Sequence, residues 1–180
     1  PLTRSDGTPV GAVLGFTNML LKKLYDLHDL HNEKNGTDYY AAVILDAGQK
    51  NFRHDIYPAY KANRPPAPED LIPQFPLVRE ASKAMNLPTL ELVGYEADDL
   101  IATYARLGKE SGMKVTIISS DKDLMQLIED DKIAMYDAAK DRRIESKEVI
   151  EKFGVPPEKL LDALAMIGDS SDNVPGIPGI

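Results

Sequence analysis

Three apolar runs in this chain each end in carboxylates, and helical spacing follows two of them directly; that repeat limits the fold more than any other feature. The runs lie in YAAVILD (40–46), TLELVGYEADDL (89–100) and KVTIISSDKDLMQLI (114–128). A short continuous apolar run reads as a strand buried on both faces, the pattern of a parallel sheet. A fourth strand is read in KIAMYD (132–137). Helical spacing runs from Val10 to about Tyr25, from Glu69 to about Met85, and from Ala97 to Glu110, where Leu100, Ile101, Tyr104 and Leu107 are expected inward and Gly112 closes the element. A further helix follows Asp121 and Asp123, another is started by Ser146 and stopped by Gly154, and PPEKLLDALAMIG adds one with proline at its start. DLHDLHNEKNGTD (26–38) reads as a polar connector and NRPPAPED (63–70) as a loop. Strands alternating with helices predict an α/β domain with a mainly parallel sheet.

Ligands of open parallel sheets bind beyond the carboxyl ends of the strands. Asp46 stands at one such end, Glu96, Asp98 and Asp99 at the second, and Asp121 and Asp123 at the third. Asp169 and Asp172, in GDSSDN, follow the last helix. These eight carboxylates can meet at one place, where they would raise one another's pKa unless a cation neutralised them. Ligation by oxygen alone, with no His or Cys, matches Mg²⁺ or Mn²⁺ rather than Zn²⁺, and so many acids imply more than one ion. A two-metal site would activate a water and stabilise the leaving oxygen of a phosphodiester. Taken singly, Asp98, Asp99 and Asp123 read as helix caps and Asp169 with Asp172 as a turn. Asp46 has no local helix to cap.

The formal net charge of −8 argues against a nucleic-acid partner only until the charges are placed. Lys50 to Arg64, KNFRHDIYPAYKANR, holds four Lys or Arg against one Asp, with three aromatics among them, while the eight carboxylates equal the whole net charge. The chain has no cysteine, which excludes disulfides and thiolate metal sites and points to a reducing, intracellular setting. No apolar run approaches the ~18 residues of a membrane span, and no signal peptide is read in PLTRSDGTPVG.

The segments ILDAGQKNFRHDIYPAYKANRPPAPEDL, GYEADDLIA, ISSDKDLMQLI and MIGDSSDNVPGIPGI closely resemble the 5′-nuclease domains of bacterial DNA polymerase I, members of the flap-endonuclease family with a PIN-like fold. The resemblance runs in order over nearly the whole chain. It implies a three-layer domain, a central, mainly parallel sheet flanked by helices, over 1–153, with an arch at about 49–70. Residues 154–180 would begin a helix-hairpin-helix subdomain.

The resemblance also implies 5′-3′ exonuclease and 5′-flap endonuclease activity on DNA, removal of RNA primers, and two divalent ions held by the eight carboxylates. Lys61 and Arg64 would hold the scissile phosphate and offset transition-state charge. Arg53, Tyr57 and Tyr60 would join them on DNA, the tyrosines either stacking on an unpaired base or packing within the arch. Gly176 and Gly179 fall in the hairpin, whose amides hold duplex phosphates, with K⁺ where it is complete. A bacterial cytoplasmic location follows from the resemblance, as does a polymerase domain later in the native chain. So does a first strand ending in an aspartate upstream of residue 1, which makes the chain a fragment at both ends. One alternative is a fragment that binds branched DNA without cutting it. A haloacid-dehalogenase-type phosphatase fits worse, because DKDLM has Leu124 where a small β-branched residue is needed.

Overall fold

The computed structural model describes residues 2–33, 38–48 and 50–179. In chain order the elements are α1 (Gly11–Glu33), β1 (Val43–Ile44), α2 (Phe52–Ile56), α3 (Gln74–Ala84), β2 (Thr89–Leu90), α4 (Ala97–Glu110), β3 (Val115–Ile118), a 3₁₀ turn (Asp123–Leu127), β4 (Ile133–Asp137), β5 (Arg142–Ile144), α5 (Ser146–Phe153) and α6 (Pro157–Ile167). The chain is α/β, with parallel pairing in β1–β2 and β3–β4. Backbone contacts divide it into two units, Pro1–Leu45 with Pro65–Leu90, and Asp46–Arg64 with Glu91–Ile180.

In the first unit α1 packs against α3. The first turn of a helix leaves N–H groups without partners. Here the buried Gln74 supplies one: its Oε1 accepts from Ala12 N at 2.8 Å and Val13 N at 3.2 Å, while its Nε2 donates to Asp70 O at 2.8 Å. Gln74→Leu keeps the volume but strands both donors. It is expected to cost about 1–3 kcal/mol, read as a fall of roughly 3–10 °C in Tm; an unchanged melt would refute the capping role.

Several sequence expectations are corrected in this unit. Helix α1 does not stop near Tyr25 but runs to Glu33, so most of the expected connector is helical. Leu24 and Leu27 continue the apolar spacing, and no Gly or Pro interrupts residues 16–35. Helix α3 starts at Gln74 rather than Glu69, because Pro73 sets its N-cap. The strands are two residues each, paired Val43↔Thr89 and Ile44↔Leu90. The run TLELVGY breaks because Tyr95 N donates to Leu92 O at 3.2 Å and Gly94 takes φ +88°, a turn that glycine enters without strain.

The second unit holds the three-stranded sheet β3-β4-β5. Its core gathers Ile117, Met135, Ile144, Val149 and Leu160 with Ala105, Leu124 and Met125. The inner face of α4 differs from the expected one: Tyr104 and Leu107 are 49% and 45% exposed, and Ala105 is buried. The helix approaches β3 so closely at Gly108 that a Cβ there would lie 2.9 Å from Val115 Cγ2, and Ile101, Ala105 and Gly108 form the stripe that allows it.

After Asp121 the chain makes only a 3₁₀ turn instead of the expected helix. Met125 and Ile128, eclipsed at i and i+3, both enter the core there. Strand β5 has no counterpart in the sequence reading. Its hairpin is closed by Asp137 Oδ1, which accepts from Ala139 N and Lys140 N. The N-cap of α5 is Glu145, whose N–H donates to Glu148 at 2.9 Å, rather than Ser146; Gly154 ends that helix at φ +73°, as expected.

On this unit's surface Glu129 bonds Lys109 at 2.8 Å and also Lys132. Lys109 first, then Lys132, lowers its pKa from 4.5 to about 2. A depressed carboxylate stabilises the fold above its unfolded pKa, and the gain is lost as pH falls through the folded one. The Tm advantage of the parent over Glu129→Gln is therefore expected to be constant above pH 5 and to disappear between about pH 4.5 and 2. A pH-independent difference would contradict it.

Candidate functional site

Asn51 caps α2 by accepting from Arg53 N at 2.9 Å, and its Nδ2 donates to Glu96 Oε1 at 2.7 Å. Glu96 is the N-cap of α4. That link helps to set the cationic segment 53–64 beside the acidic start of α4. Every site residue described below belongs to the second unit.

At that junction cap and charge partner coincide in Asp99. Its Oδ2 accepts from Glu96 N at 2.9 Å, and both its oxygens take a fork from Arg53 at 2.8 and 2.7 Å. Such bidentate pairs are strong and geometrically specific, and Arg53 holds the Asp99 carboxyl below the usual range. Glu96 instead accepts Lys61 Nζ at 2.6 Å and Tyr60 OH at 3.0 Å.

Tyr60 is 8% exposed, with Lys61 Nζ 4.9 Å from its ring centroid and the edge of His54 against it at 5.4 Å. Its hydroxyl lies 2.9 Å from Asp172 Oδ2 as well as against Glu96, and one proton serves only one of them at a time. Burial first, then the two carboxylates, pushes the phenol well above its ordinary pKa.

Asp172 belongs to a tight turn after α6. Asp169 N and Val174 O, and Val174 N and Asp169 O, close that turn with two 2.8 Å bonds. Below it, a Cβ on Gly168 would sit 2.3 Å from Gly176 N, and one on Gly176 would sit 2.2 Å from Ile167 O, so backbones touch where only glycine fits. The 57–64 segment is stitched to this turn. Lys61 N donates to Asp172 O at 2.9 Å, Asn63 Nδ2 to Ser170 O at 2.6 Å, Arg64 Nε to Ser171 O at 3.1 Å, Asn173 Nδ2 to Ala59 O at 2.7 Å, and Tyr57 OH to Asn173 O at 3.1 Å. Lys61 and Asn173 both take left-handed backbone, at φ +56° and +58°. Arg64 Nη2 reaches Asp172 Oδ1 at 2.5 Å.

The remaining acids are differently placed. Asp46 does have a helix to cap, though a distant one: its Oδ1 accepts from Ala97 N, the first residue of α4, at 2.7 Å. Asp121 Oδ1 accepts from Asp123 N at 2.9 Å. Asp169 is held by Lys122 Nζ at 2.8 Å and Ser171 N at 2.7 Å, and Lys122 draws its carboxyl far below the ordinary range. Asp98 has no cation in contact with it among the described residues. Burial first, then Asp121, Asp46 and Glu96, raises it from 3.8 to about 6. Asp123 is raised by burial and by Asp121.

The eight carboxylates thus divide. Glu96, Asp99, Asp169 and Asp172 are paired with Arg53, Lys61, Arg64 and Lys122, Asp46 caps α4 at Ala97 N, and Asp98 and Asp123 each face the charge of Asp121. Among the described residues no three acids or histidines stand ready to enclose a metal ion as placed. The donor chemistry fits a hard cation; the resident ammonium and guanidinium groups occupy part of the set. Gly176 is packed under Ile167, and Gly179, at φ +90°, has open space around it. Sequence reasoning missed Asn51 and Lys122. The N-F-R-H start of α2 and the Lys between two aspartates in SDKD were the available signals.

The family model for the 5′-3′ exonuclease, N-terminal resolvase-like domain, matches residues 1–154. A DNA polymerase I of Rhizobium leguminosarum is 58% identical over 181 residues, covering 100% of this chain and 18% of the relative. A 5′-3′ exonuclease of Aquifex aeolicus is 42% identical over 180 residues, 100% of this chain and 59% of its own length. Among solved structures, the T5 D15 protein co-crystallised with metal ions has the same fold, at TM-score 0.74 and 24% identity over 97% of this chain and 68% of that one. A variant of the bacteriophage T5 D15 flap endonuclease, in a complex with DNA and metal ions, gives 0.71 at 26% identity, covering 87% and 60%. This chain spans less than three-fifths of the length of either curated relative.

Proposed function

The chain belongs to the family of 5′-3′ exonuclease N-terminal, resolvase-like domains, and from that premise we propose that it hydrolyses phosphodiester bonds at 5′ ends and 5′ flaps of DNA in a divalent-metal-dependent reaction. The observation that carries this reading is the gathering of acids at the start of α4, where Asp46 accepts from Ala97 N at 2.7 Å, Glu96 is the N-cap, and Asp98, facing Asp121, has no described cation in contact with it. So many carboxylates, only some of them paired with Arg53, Lys61, Arg64 and Lys122, suit more than one divalent ion, and the reading takes two Mg²⁺ or Mn²⁺. When bound, such ions supply an activated water and neutralise charge on the leaving oxygen.

The chain's own residues do the rest. Lys61 and Arg64 stand at the Glu96–Asp172 edge, so a phosphate brought there meets both. Arg53 fixes Asp99 and through it the first turn of α4. Tyr57, partly exposed where Tyr60 is buried, offers a ring to an unpaired base. Gly176 and Gly179 lie in the segment that would hold duplex phosphates with K⁺, and the working division is 1–153 for the nuclease core, 49–70 for the arch and 154–180 for the hairpin subdomain. Nicks and RNA primers on DNA are the further substrates, and a polymerase domain follows in the native chain. No helix among the described residues is long and apolar enough to cross a membrane, and the setting proposed is the bacterial cytoplasm.

Cleavage of a 5′-end-labelled flap duplex in Mg²⁺ tests the reading. Short 5′ products that vanish with EDTA are expected. Products that persist in EDTA, or none with any divalent ion, would reject it.

A further inference from the structure

Lys122 lies outside the segment Lys50 to Arg64 that sequence reasoning took as the cationic partner of the acids. It sits between Asp121 and Asp123, and its side chain reaches out of that turn to Asp169 Oδ2 at 2.8 Å. The other oxygen of Asp169 is held within its own turn, by Ser171 N at 2.7 Å, Ser171 Oγ at 2.5 Å and Asp172 N at 3.3 Å. Both oxygens of Asp169 are therefore engaged, one of them by Lys122, whose side chain is 38% exposed. The neighbouring cations behave differently. Arg53 grips Asp99, itself part of the cap of α4, with two bonds, and Lys61 is anchored through its backbone to Asp172. Of the four cations in the cluster, Lys122 joins the 121–123 turn to the 169–174 turn through a single flexible contact.

We infer that Lys122 is a positioning residue that acts as a resident counter-ion: it holds the 169–174 turn against the 121–123 turn, and it competes with a divalent cation for Asp169. The first half stands on geometry alone; the second rests on the nuclease reading above. Without a cation, the ammonium keeps Asp121, Asp123 and Asp169 from driving the two turns apart by repulsion. When a cation arrives it must displace that ammonium from one oxygen, so Lys122 sets how tightly the weaker of two ions is held.

The test needs no DNA and no turnover. The full chain, stripped of metal, is titrated with Mn²⁺ and free Mn²⁺ is read by EPR for the parent, Lys122→Met and Lys122→Arg. Amide exchange at Ser171 and Asp172 is followed without cation. Lys122→Met is expected to tighten the weaker Mn²⁺ step by about fivefold, to leave the tighter step unchanged, and to speed exchange at both amides. Lys122→Arg is expected to keep the parent's values. A weaker Mn²⁺ step that is unchanged or loosened in Lys122→Met overturns the competition, and unaltered amide exchange overturns the clasp. If the parent itself binds no Mn²⁺, the nuclease reading is what fails.

Discussion

Asp98→Asn is expected to cut flap cleavage in Mg²⁺ by about a hundredfold or more, and at the same time to raise Tm. The two effects have one cause. Asp98 is partly buried, faces Asp121, Asp46 and Glu96, and has its pKa raised to about 6, so at neutral pH its charge is held against the preference of the fold. Asparagine removes that charge and, on the proposed reading, a ligand for the cation. The gain in stability is about 1 kcal/mol once solvent screening is allowed for, or roughly 2–4 °C in Tm measured in EDTA. The sign can be followed with pH. A carboxylate whose folded pKa is raised destabilises the fold above that pKa, and the penalty is gone below the unfolded value. The Tm gap between variant and parent should therefore be widest above pH 6 and close as pH falls from about 6 to 3.8. A variant that loses cleavage and also melts lower would mean that Asp98 supports the fold, and the cation-holding role would be wrong.

Leu160→Ala should produce the largest loss of stability of any single change considered. Leu160 is fully buried in the second unit's core, with Ile144, Val149 and Met135 in the same cluster. Truncation there removes the transfer energy and leaves a cavity, together about 2–5 kcal/mol, and Tm is expected to fall by roughly 5–15 °C. Its neighbour Leu161 is 60% exposed, so Leu161→Ala is expected to stay within about 0.5 kcal/mol. Equal effects at the two positions, in thermal melts of both variants, would show that α6 is not packed as described.

Helix α6 was legible in the sequence as an element with proline at its start, whereas the contrast between its two leucines was not. Also legible as elements were α4, α5 and β4. What could not be read were features decided by partners far along the chain. Tyr104 and Leu107 fit an inward stripe as well as Ile101 does, and only the close approach of Gly108 to Val115 selects the other face. Strand β5 is three residues long and carries two arginines, so alternation gives no signal until β4 is there to pair it. The same holds for the site. Strand-end position marked the carboxylates, and the family resemblance marked Arg53, Lys61 and Arg64. Which acid each cation neutralises was hidden, because Asn51 meets Glu96 across 45 positions and Arg64 meets Asp172 across 108. For Asp99 the cap is what the structure shows: Oδ2 caps α4 and both oxygens are bound by Arg53.

The crossing of Gly168 and Gly176 bears on how this region can change over generations. With the two backbones in contact and the Asp169–Val174 pair closed on both sides, the number of residues between the glycines is set by geometry. Even with every side chain of the turn kept, an inserted or deleted residue would unseat the crossing and carry Asp169 and Asp172 away from Lys122 and Arg64. Length, as well as composition, is a quantity that descent must conserve there.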